Sequence, residues 1–329
     1  MNIVVTGGKG FIGSSVCDRL LKADFNVISI DNRKRDNYCF LNSSIISKEV
    51  DVTRYDSLKE IISQADGIIH LAAVSRVIWG EIFPQECIDV NVKGTLNVVE
   101  AAKQSKRKPW IILGSSREVY GETDRNPVTE DYPLNPINTY GISKLAAECL
   151  VKQYALQNAS KTIILRFSNV YGELSDILDR VTPKFILNAL LDRPLNIHGG
   201  NQIMDFTHIV DTVDAIERAV HFISSISEDK FFDHFHILPG ESNSLYDLIE
   251  HIKSNTSKKI RVEQGKRRDY DVEKFTGNPD KAKELLGFKC KIKYKEGIKK
   301  TINLFEKELQ NNKPKVVQKF KEDSKCELL

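Results

Sequence analysis

Tyr140 and Lys144 stand four residues apart in Tyr140-Gly-Ile-Ser-Lys144, a spacing that puts a phenol and an ammonium one turn apart on the same face of a helix. A free tyrosine has a pKa of about 10, so it acts as a base near neutrality only where positive charge stabilises its phenolate. Lys144 and the amino end of a helix beginning after Pro136 are placed to supply that charge. Upstream, Trp110-Ile-Ile-Leu113 runs into Gly114-Ser-Ser-Arg-Glu-Val-Tyr-Gly121, delivering small hydroxyls at the carboxyl end of a strand, where the ligand crevice of an open α/β sheet lies. Ser116 is positioned to share a hydrogen bond with Tyr140 and with a substrate hydroxyl. Ser115 has two readings, a direct role or a turn serine bonded to backbone.

A second constellation precedes it. Ile3-Val-Val-Thr-Gly7-Gly-Lys-Gly10-Phe11-Ile12-Gly13 is an apolar run followed by glycines spaced so that backbone amides and a helix amino end can approach a pyrophosphate. The next apolar run ends at Asp31, eighteen residues after Gly13, close to where an acidic side chain hydrogen-bonds an adenosine ribose. Asn32 belongs to the same expected site. A carboxylate there repels a ribose 2′-phosphate, which favours NAD over NADP as the cofactor. Arg33 opposes this if it faces a phosphate, and is neutral to it as a solvated loop residue. Asp51 and Val52 follow a third apolar run; Asp51 either meets the adenine edge or caps a helix over Thr53-Ile62.

These residues need a sheet to hold them. Ile3-Val5, Val27-Ile30, Gly67-Leu71, Trp110-Leu113 and Thr162-Phe167 read as strands separated by amphipathic stretches. That alternation predicts a Rossmann-type, doubly wound parallel sheet over residues 1–170. After Val170 turn signals at Asp192-Arg-Pro194, Gly199-Gly200, Pro239-Gly240 and Asn278-Pro279 break the pattern, so residues 171–310 are expected to form a smaller α/β substrate-binding domain. A helix near residues 212–223 is expected to pack back on the first domain. Residues 311–329, polar and lysine-rich, read as a mobile tail.

Composition sets limits. The 329 residues are 41% hydrophobic and 28% charged, with 48 basic against 45 acidic side chains, typical of a folded soluble chain with no field that favours nucleic acid or a membrane. Six cysteines lack the spacing of a zinc site or a disulfide framework, and residues 1–6 lack the order of a secretory signal. A cytoplasmic location, without metal, is the expectation. The terminal Cys326-Glu-Leu-Leu329 behind a run of lysines has the form of a prenylation signal.

With its motifs in order, the chain resembles the extended short-chain dehydrogenase/reductases, in their NAD-dependent nucleotide-sugar epimerase/dehydratase branch. The motifs are Thr6-Gly7-Gly8-Lys9-Gly10-Phe11-Ile12-Gly13, His70-Leu71-Ala72-Ala73, Asn91-Val92-Lys93-Gly94-Thr95, Ser115 to Gly121, Tyr140 with Lys144, Arg166 to Gly172 and Asp205-Phe206-Thr207-His208. The resemblance implies a catalytic set of Ser116, Tyr140 and Lys144. It also implies Leu71, Ala72 and Ala73 beside the cofactor, Asn91 supporting the active-site backbone, and Phe167 with Ser168 lining the nicotinamide side. Asn169 is implied to bind the sugar-nucleotide phosphate, with Ser75 among the substrate contacts. A homodimer is implied as well, with the helices of Cys87-Ala102 and Tyr140-Leu156 pairing as a four-helix bundle.

Two departures from the branch refine the expectation. An arginine often precedes its Asp-Phe pair, and here that position is Met204; phosphate binding falls to Arg268, which matches the second phosphate-binding arginine or else is part of a surface basic cluster. The 4,6-dehydratases carry an acid where Arg117 stands, followed by a glutamate that matches Glu118. Arginine stays protonated and cannot be that acid, although it suits a substrate carboxylate. Glu118 either acts in catalysis or pairs with Arg117. The resulting order of expected activities is 4-epimerisation in the manner of UDP-glucose 4-epimerase through a transient 4-keto sugar, then UDP-glucuronate decarboxylation, then 4,6-dehydration. A protein that binds NAD as a sensor without turnover is the alternative from another class.

Overall fold

The computed structural model describes residues 1–32 and 41–324. Arg33 and Cys326 lie outside the described residues. In chain order the elements are β1 Asn2–Thr6, α1 Phe11–Lys22, β2 Asn26–Asp31, β3 Ile46–Glu49, α2 Tyr55–Ile62, β4 Gly67–His70, α3 Val77–Ile82, α4 Pro84–Ile88, α5 Gly94–Gln104, β5 Trp110–Ser116, α6 Thr139–Gln157, β6 Lys161–Phe167 and β7 Asn169–Tyr171. There follow α7 Val181–Leu190, β8 Leu195–His198, β9 Ile203–Met204, β10 Phe206–His208, α8 Ile209–Ser225, β11 Phe231–Ile237, β12 Asn243–Ser244, α9 Leu245–Asn255, β13 Val262–Gly265, α10 Asp280–Leu286 and α11 Tyr294–Asp323.

Seven strands pair in the order β11-β6-β5-β4-β1-β2-β3, every neighbour parallel. This is the Rossmann-type doubly wound sheet. Its strand order reverses between β1 and β4, the point at which such sheets open a ligand crevice. Side chains alternate across it as the pleat requires. Ile3 and Val5 join the apolar cluster under α1 and α8, whereas Val4 joins the one under α2, α5 and α6. Helix α8, in the region expected to pack back, contacts α1 and β6. Two strands escaped the sequence reading: β3, wholly exposed at the sheet edge, and β11, whose Phe-Phe-Asp-His-Phe-His-Ile mixes polar and apolar residues without a clean period.

A separate apolar cluster gathers α7, α9, α11 and β8–β10, through residues such as Leu178, Phe185, Ile197, Phe206, Ile249 and Phe305. It lies beyond the carboxyl ends of the strands. Three short strand pairs, β10 with β7, β12 with β9 and β13 with β8, tie its loops together.

The expected mobile tail is corrected. Residues 311–323 complete α11, which kinks at Asn312 (φ −141°, ψ 41°) and resumes with Pro314 in its first turn, where the missing amide costs nothing. Val316 and Phe320, one turn apart, are buried in the second cluster. Two apolar residues at helical spacing were enough to dock a segment whose overall composition is polar. Among the described residues no helix is long and apolar enough to cross a membrane.

Candidate active site

A cleft of about 500 Å³ runs along the carboxyl ends of the sheet and under the second cluster. Of the residues expected from sequence, Gly7, Gly10, Phe11, Ile12, Gly13, Asp31, Asn32, Val52, Leu71, Ala72, Ala73, Ser75, Ser116, Arg117, Glu118, Tyr140, Lys144, Phe167, Asn169 and Arg268 all line it. Asp51 and Asn91 are not among the residues that line it. The Asp51 carboxylate accepts from the Thr53 amide and hydroxyl, each at 2.8 Å, turning the chain ahead of α2. Asn91 is buried behind the wall, where it accepts from the Val74 amide at 2.8 Å and donates to the Val74 carbonyl at 3.1 Å and to Ser143 Oγ at 2.8 Å. It holds the backbone between the cleft's two walls of polar residues rather than touching the cleft itself.

At one end the backbone makes a cradle. Gly7 adopts φ +67°, and a Cβ there would sit 2.8 Å from the Ala72 amide nitrogen, so any other residue would be strained and would push the β1 and β4 loops apart. Gly10 begins α1 with no side chain capping its first amides, which leaves them available to an anion. Asp31, buried at the end of β2, accepts from the Lys9 amide at 3.0 Å. Behind the cradle the His70 ring bonds Thr6 Oγ1 at 2.7 Å and Thr95 Oγ1 at 3.0 Å. Burial pushes that imidazole down to about 3, so it stays neutral. Thr6 Oγ1 also accepts from the Leu71 and Ala72 amides, at 3.1 and 3.0 Å, fixing the strand-end backbone that faces the cleft.

Midway along, α6 presents the phenol and ammonium. Asn138 caps the helix, accepting from the Gly141 amide at 2.8 Å, and also donates to Glu118 at 2.9 Å, so the cap ties α6 to the end of β5. Burial pushes the Tyr140 phenol up to about 12, opposed first by the charge of Arg180 and then by a hydrogen bond with Ser116. Arg180, from the opposite wall, is thus an opposing charge that the sequence did not point to. Lys144 is itself pushed down by burial to about 8, with Glu148 the main opposing influence. Glu148 lies one turn further along α6 and is held bidentately by Arg166, at 3.0 and 2.8 Å, and by the Ser115 hydroxyl at 2.5 Å. Ser115 lines the cleft and also ties it to this buried network. Arg166 also donates to the Tyr120 hydroxyl at 2.6 Å and the Glu130 carbonyl at 3.0 Å, joining β5, α6 and β6 underneath the reactive groups.

Arg117 is buried beside Ser116, paired with Glu118 at 2.8 Å and set over the Phe275 ring at 5.6 Å from its centroid. Its Nη1 has no hydrogen-bond partner within the protein. Both oxygens of Glu118 are engaged, one by Arg117 and the other by Asn138. At the far end Arg268 pairs with Asp271 at 2.9 Å and lies over Tyr270. The sequence reading missed the opposite wall altogether, where Asp176, Asp179, Arg180 and Lys184 line the cleft along with Arg76 from the β4 side. Arg76 meets Asp179 at 2.6 Å, and Arg180 donates to the Ser75 carbonyl and hydroxyl at 2.9 and 3.1 Å, so the two walls are clasped to each other. A cluster of charge directly after Tyr171-Gly172 was the available signal.

Residues 3–232 match the model of the NAD dependent epimerase/dehydratase family. The chain belongs to that family. It is an enzyme, and its cofactor is NAD. A protein of Methanocaldococcus jannaschii named as a putative UDP-glucose 4-epimerase is 32% identical over 305 residues, 92% of this chain and 97% of that one. A UDP-glucuronic acid decarboxylase of Arabidopsis thaliana is 32% identical over 307 residues, 91% of this chain and 87% of its own. Among solved structures, the UDP-glucuronic acid 4-epimerase of Bacillus cereus, in complex with UDP-glucuronic acid and NAD, superposes with a TM-score of 0.84 at 28% identity, covering 93% of this chain and 99% of that one.

Tyr140→Phe, which removes the one phenol hydroxyl facing Ser116 and leaves the glycine cradle intact, is expected to cut turnover by about 10²–10⁴-fold with NAD affinity changed by less than about twofold. Ser116→Ala is expected to be milder. Steady-state rates alongside equilibrium titration with NAD check both; residual activity of Tyr140→Phe above about a tenth of the parent would remove the phenol from proton transfer.

Proposed function

We propose that this enzyme is a nucleotide-sugar 4-epimerase, of the UDP-glucose 4-epimerase kind, working through a transient 4-keto sugar. The observation that carries the reading is the end of β5: a phenol and a serine hydroxyl paired in a buried cleft, with the fixed cation Arg117 where elimination chemistry needs an acid. The cradle fits NAD, with Gly7, Gly10 and Gly13 leaving room for the pyrophosphate, Asp31 and Asn32 at the ribose, and Leu71, Ala72, Ala73 and Phe167 along the rings. When bound, NAD supplies a positively charged ring and a reversible hydride acceptor.

The protein's own groups then move and hold protons. Tyr140 Oη takes the proton of the sugar 4-hydroxyl, Ser116 Oγ bridges the two oxygens, and Lys144 and Arg180 stabilise the charge that develops on the phenolate. Asn169 and Arg268 hold the phosphates, a planar guanidinium fork suiting that geometry. With phosphates and base anchored, the ketone is free to rotate and present its other face. Tyr140 returns the proton, inverting C4 with no net change of oxidation state.

A second reading, decarboxylation of UDP-glucuronate, is favoured by Arg117 and Glu118 together. The unpartnered Nη1 suits a substrate carboxylate, and the same C4 oxidation makes a neighbouring carboxylate labile. Water elimination ranks third, because Arg117 donates only hydrogen bonds and charge. The four free cysteines among the described residues, Cys17, Cys87, Cys149 and Cys290, fit a reducing cytoplasm.

The assembly we propose is a homodimer through a four-helix bundle. Ile142, Cys149 and Leu156 form an exposed stripe of seven-residue period along α6, beside exposed Ile88 and Leu96 at α4 and α5, the spacing of a helix seam that lacks its partner. Light scattering at micromolar protein is expected to give twice the mass of 37.4 kDa; the monomer mass would refute the dimer.

The activity is tested by incubating the enzyme and NAD with UDP-glucose, UDP-N-acetylglucosamine, UDP-glucuronate and the dTDP- and GDP-hexoses, with products identified by mass and NMR. An isomer of unchanged mass is expected. Loss of one water from a hexose, at a rate comparable with isomerisation, would overturn the ranking, and loss of carbon dioxide from the glucuronate would promote the second reading.

A further inference from the structure

Asp323, the last residue of α11, accepts the Leu178 amide on Oδ2 at 2.8 Å, and the same oxygen receives Lys319 Nζ at 2.9 Å. Leu178 sits between Ile177 and Asp179, which line the cleft together with Asp176 and Arg180. Val316 and Phe320 bury their side chains in the apolar cluster that holds Leu174 and Leu178. Lys319, a long cation, is only 6% exposed, a degree of burial that a lysine tolerates only when paired. The C-terminal turn of α11 thus grips the back of the segment whose front is a wall of the active cleft.

On its cleft side the segment is fastened by Arg76 and Lys184 at Asp179. Asp176 accepts from the Ile177 amide at 2.7 Å and lies 3.5 Å from Arg180 Nε, while its Oδ2 is buried without a hydrogen-bond partner. Burial pushes this carboxyl up to about 6, and Lys319 is among the charges that hold it down. Asp176 lies beside Arg180 on this same segment, and Arg180 is the residue that bridges to Ser75 across the cleft.

We infer that residues 313–323 are a brace for the substrate-side wall of the cleft, and that Lys319 and Asp323 are positioning residues that act through Leu178 and Asp176 to hold Arg180 against Ser75. The inference rests on the reading of this cleft as the sugar-nucleotide site. Its physical content is that the apolar contacts of Val316 and Phe320 keep the helix docked, while the Asp323 carboxylate sets the path of the wall, since a charge-assisted bond to a backbone amide has directionality that apolar packing lacks.

The test keeps the full chain and changes one group. In Asp323→Ala the Leu178 amide loses its acceptor and Lys319 loses one of its partners. Hydrogen exchange over residues 173–180 is expected to quicken at least about tenfold, against unchanged protection in the glycine cradle and α6. The KM for UDP-glucose or UDP-glucuronate is expected to rise about fivefold or more while kcat stays within about twofold, the pattern of lost ground-state positioning. Asp323→Asn keeps an acceptor for the amide and should restore most of both. Unchanged exchange over residues 173–180 in Asp323→Ala would overturn the brace, and faster exchange with unchanged KM would overturn the positioning role. Absence of turnover by the parent on either sugar nucleotide would count against the function proposed above, and the exchange data would then decide the brace by themselves.

Discussion

The site depends on the burial of a tyrosine and a lysine that do their chemistry through charge. Removing Tyr140 and Lys144 from water disfavours the phenolate on one and the ammonium on the other, moving the first up and the second down. With the phenol held up in this way, the base needs positive charge around it, part of which the ring of bound NAD would supply. The surrounding structure answers with opposite charge at fixed positions. Glu148 supports Lys144 from one turn along the helix, Arg180 faces Tyr140 from the other wall, and Ser116 bonds the phenol. Each of these needs its own anchor in turn, which is why so much of the polar interior is organised around one turn of α6.

The anchors form a continuous set. Arg166 holds Glu148 bidentately and reaches Tyr120; Tyr120 in turn bonds the His236 ring of β11 at 2.6 Å. A buried pair of this kind contributes little beyond a well-packed apolar substitute, yet breaking one partner costs about 3–5 kcal/mol because the other is left uncompensated. Such a network resists piecemeal change and fixes three strands and a helix relative to one another. The walls above this floor are joined to each other through the buried pair of Arg76 with Asp179 and through Arg180 with Ser75.

What could be read from the sequence divides along the same line. The floor was legible because its residues lie on regular elements at fixed spacing: the glycines after β1, Asp31 at the end of β2, Ser116 at the end of β5 and the Tyr140–Lys144 turn. Asp51 kept two readings in the sequence, since residue type alone does not separate a side chain that touches a ligand from one that holds the loop that does. The wall of Asp176 to Lys184 escaped notice because it depends on a loop meeting a helix end some 140 residues later in the chain, Leu178 on Asp323. Local periodicity carries no trace of such a contact. The docked end of α11 was hidden for a related reason, its two apolar side chains being outnumbered by lysines, of which Lys319 is itself buried and paired with Asp323.

In the proposed reaction hydride leaves C4 of a nucleotide-sugar and returns to the same carbon within one enzyme-bound cycle. The most direct measurement follows UDP-glucose and UDP-glucuronate carrying deuterium at C4, in ordinary water, and the unlabelled sugars in heavy water, with the products resolved by NMR. The account predicts that the C4-inverted product keeps its deuterium in the first case and gains none on any carbon in the second. Loss of the C4 label, or entry of solvent deuterium at C4 or C5, would contradict it.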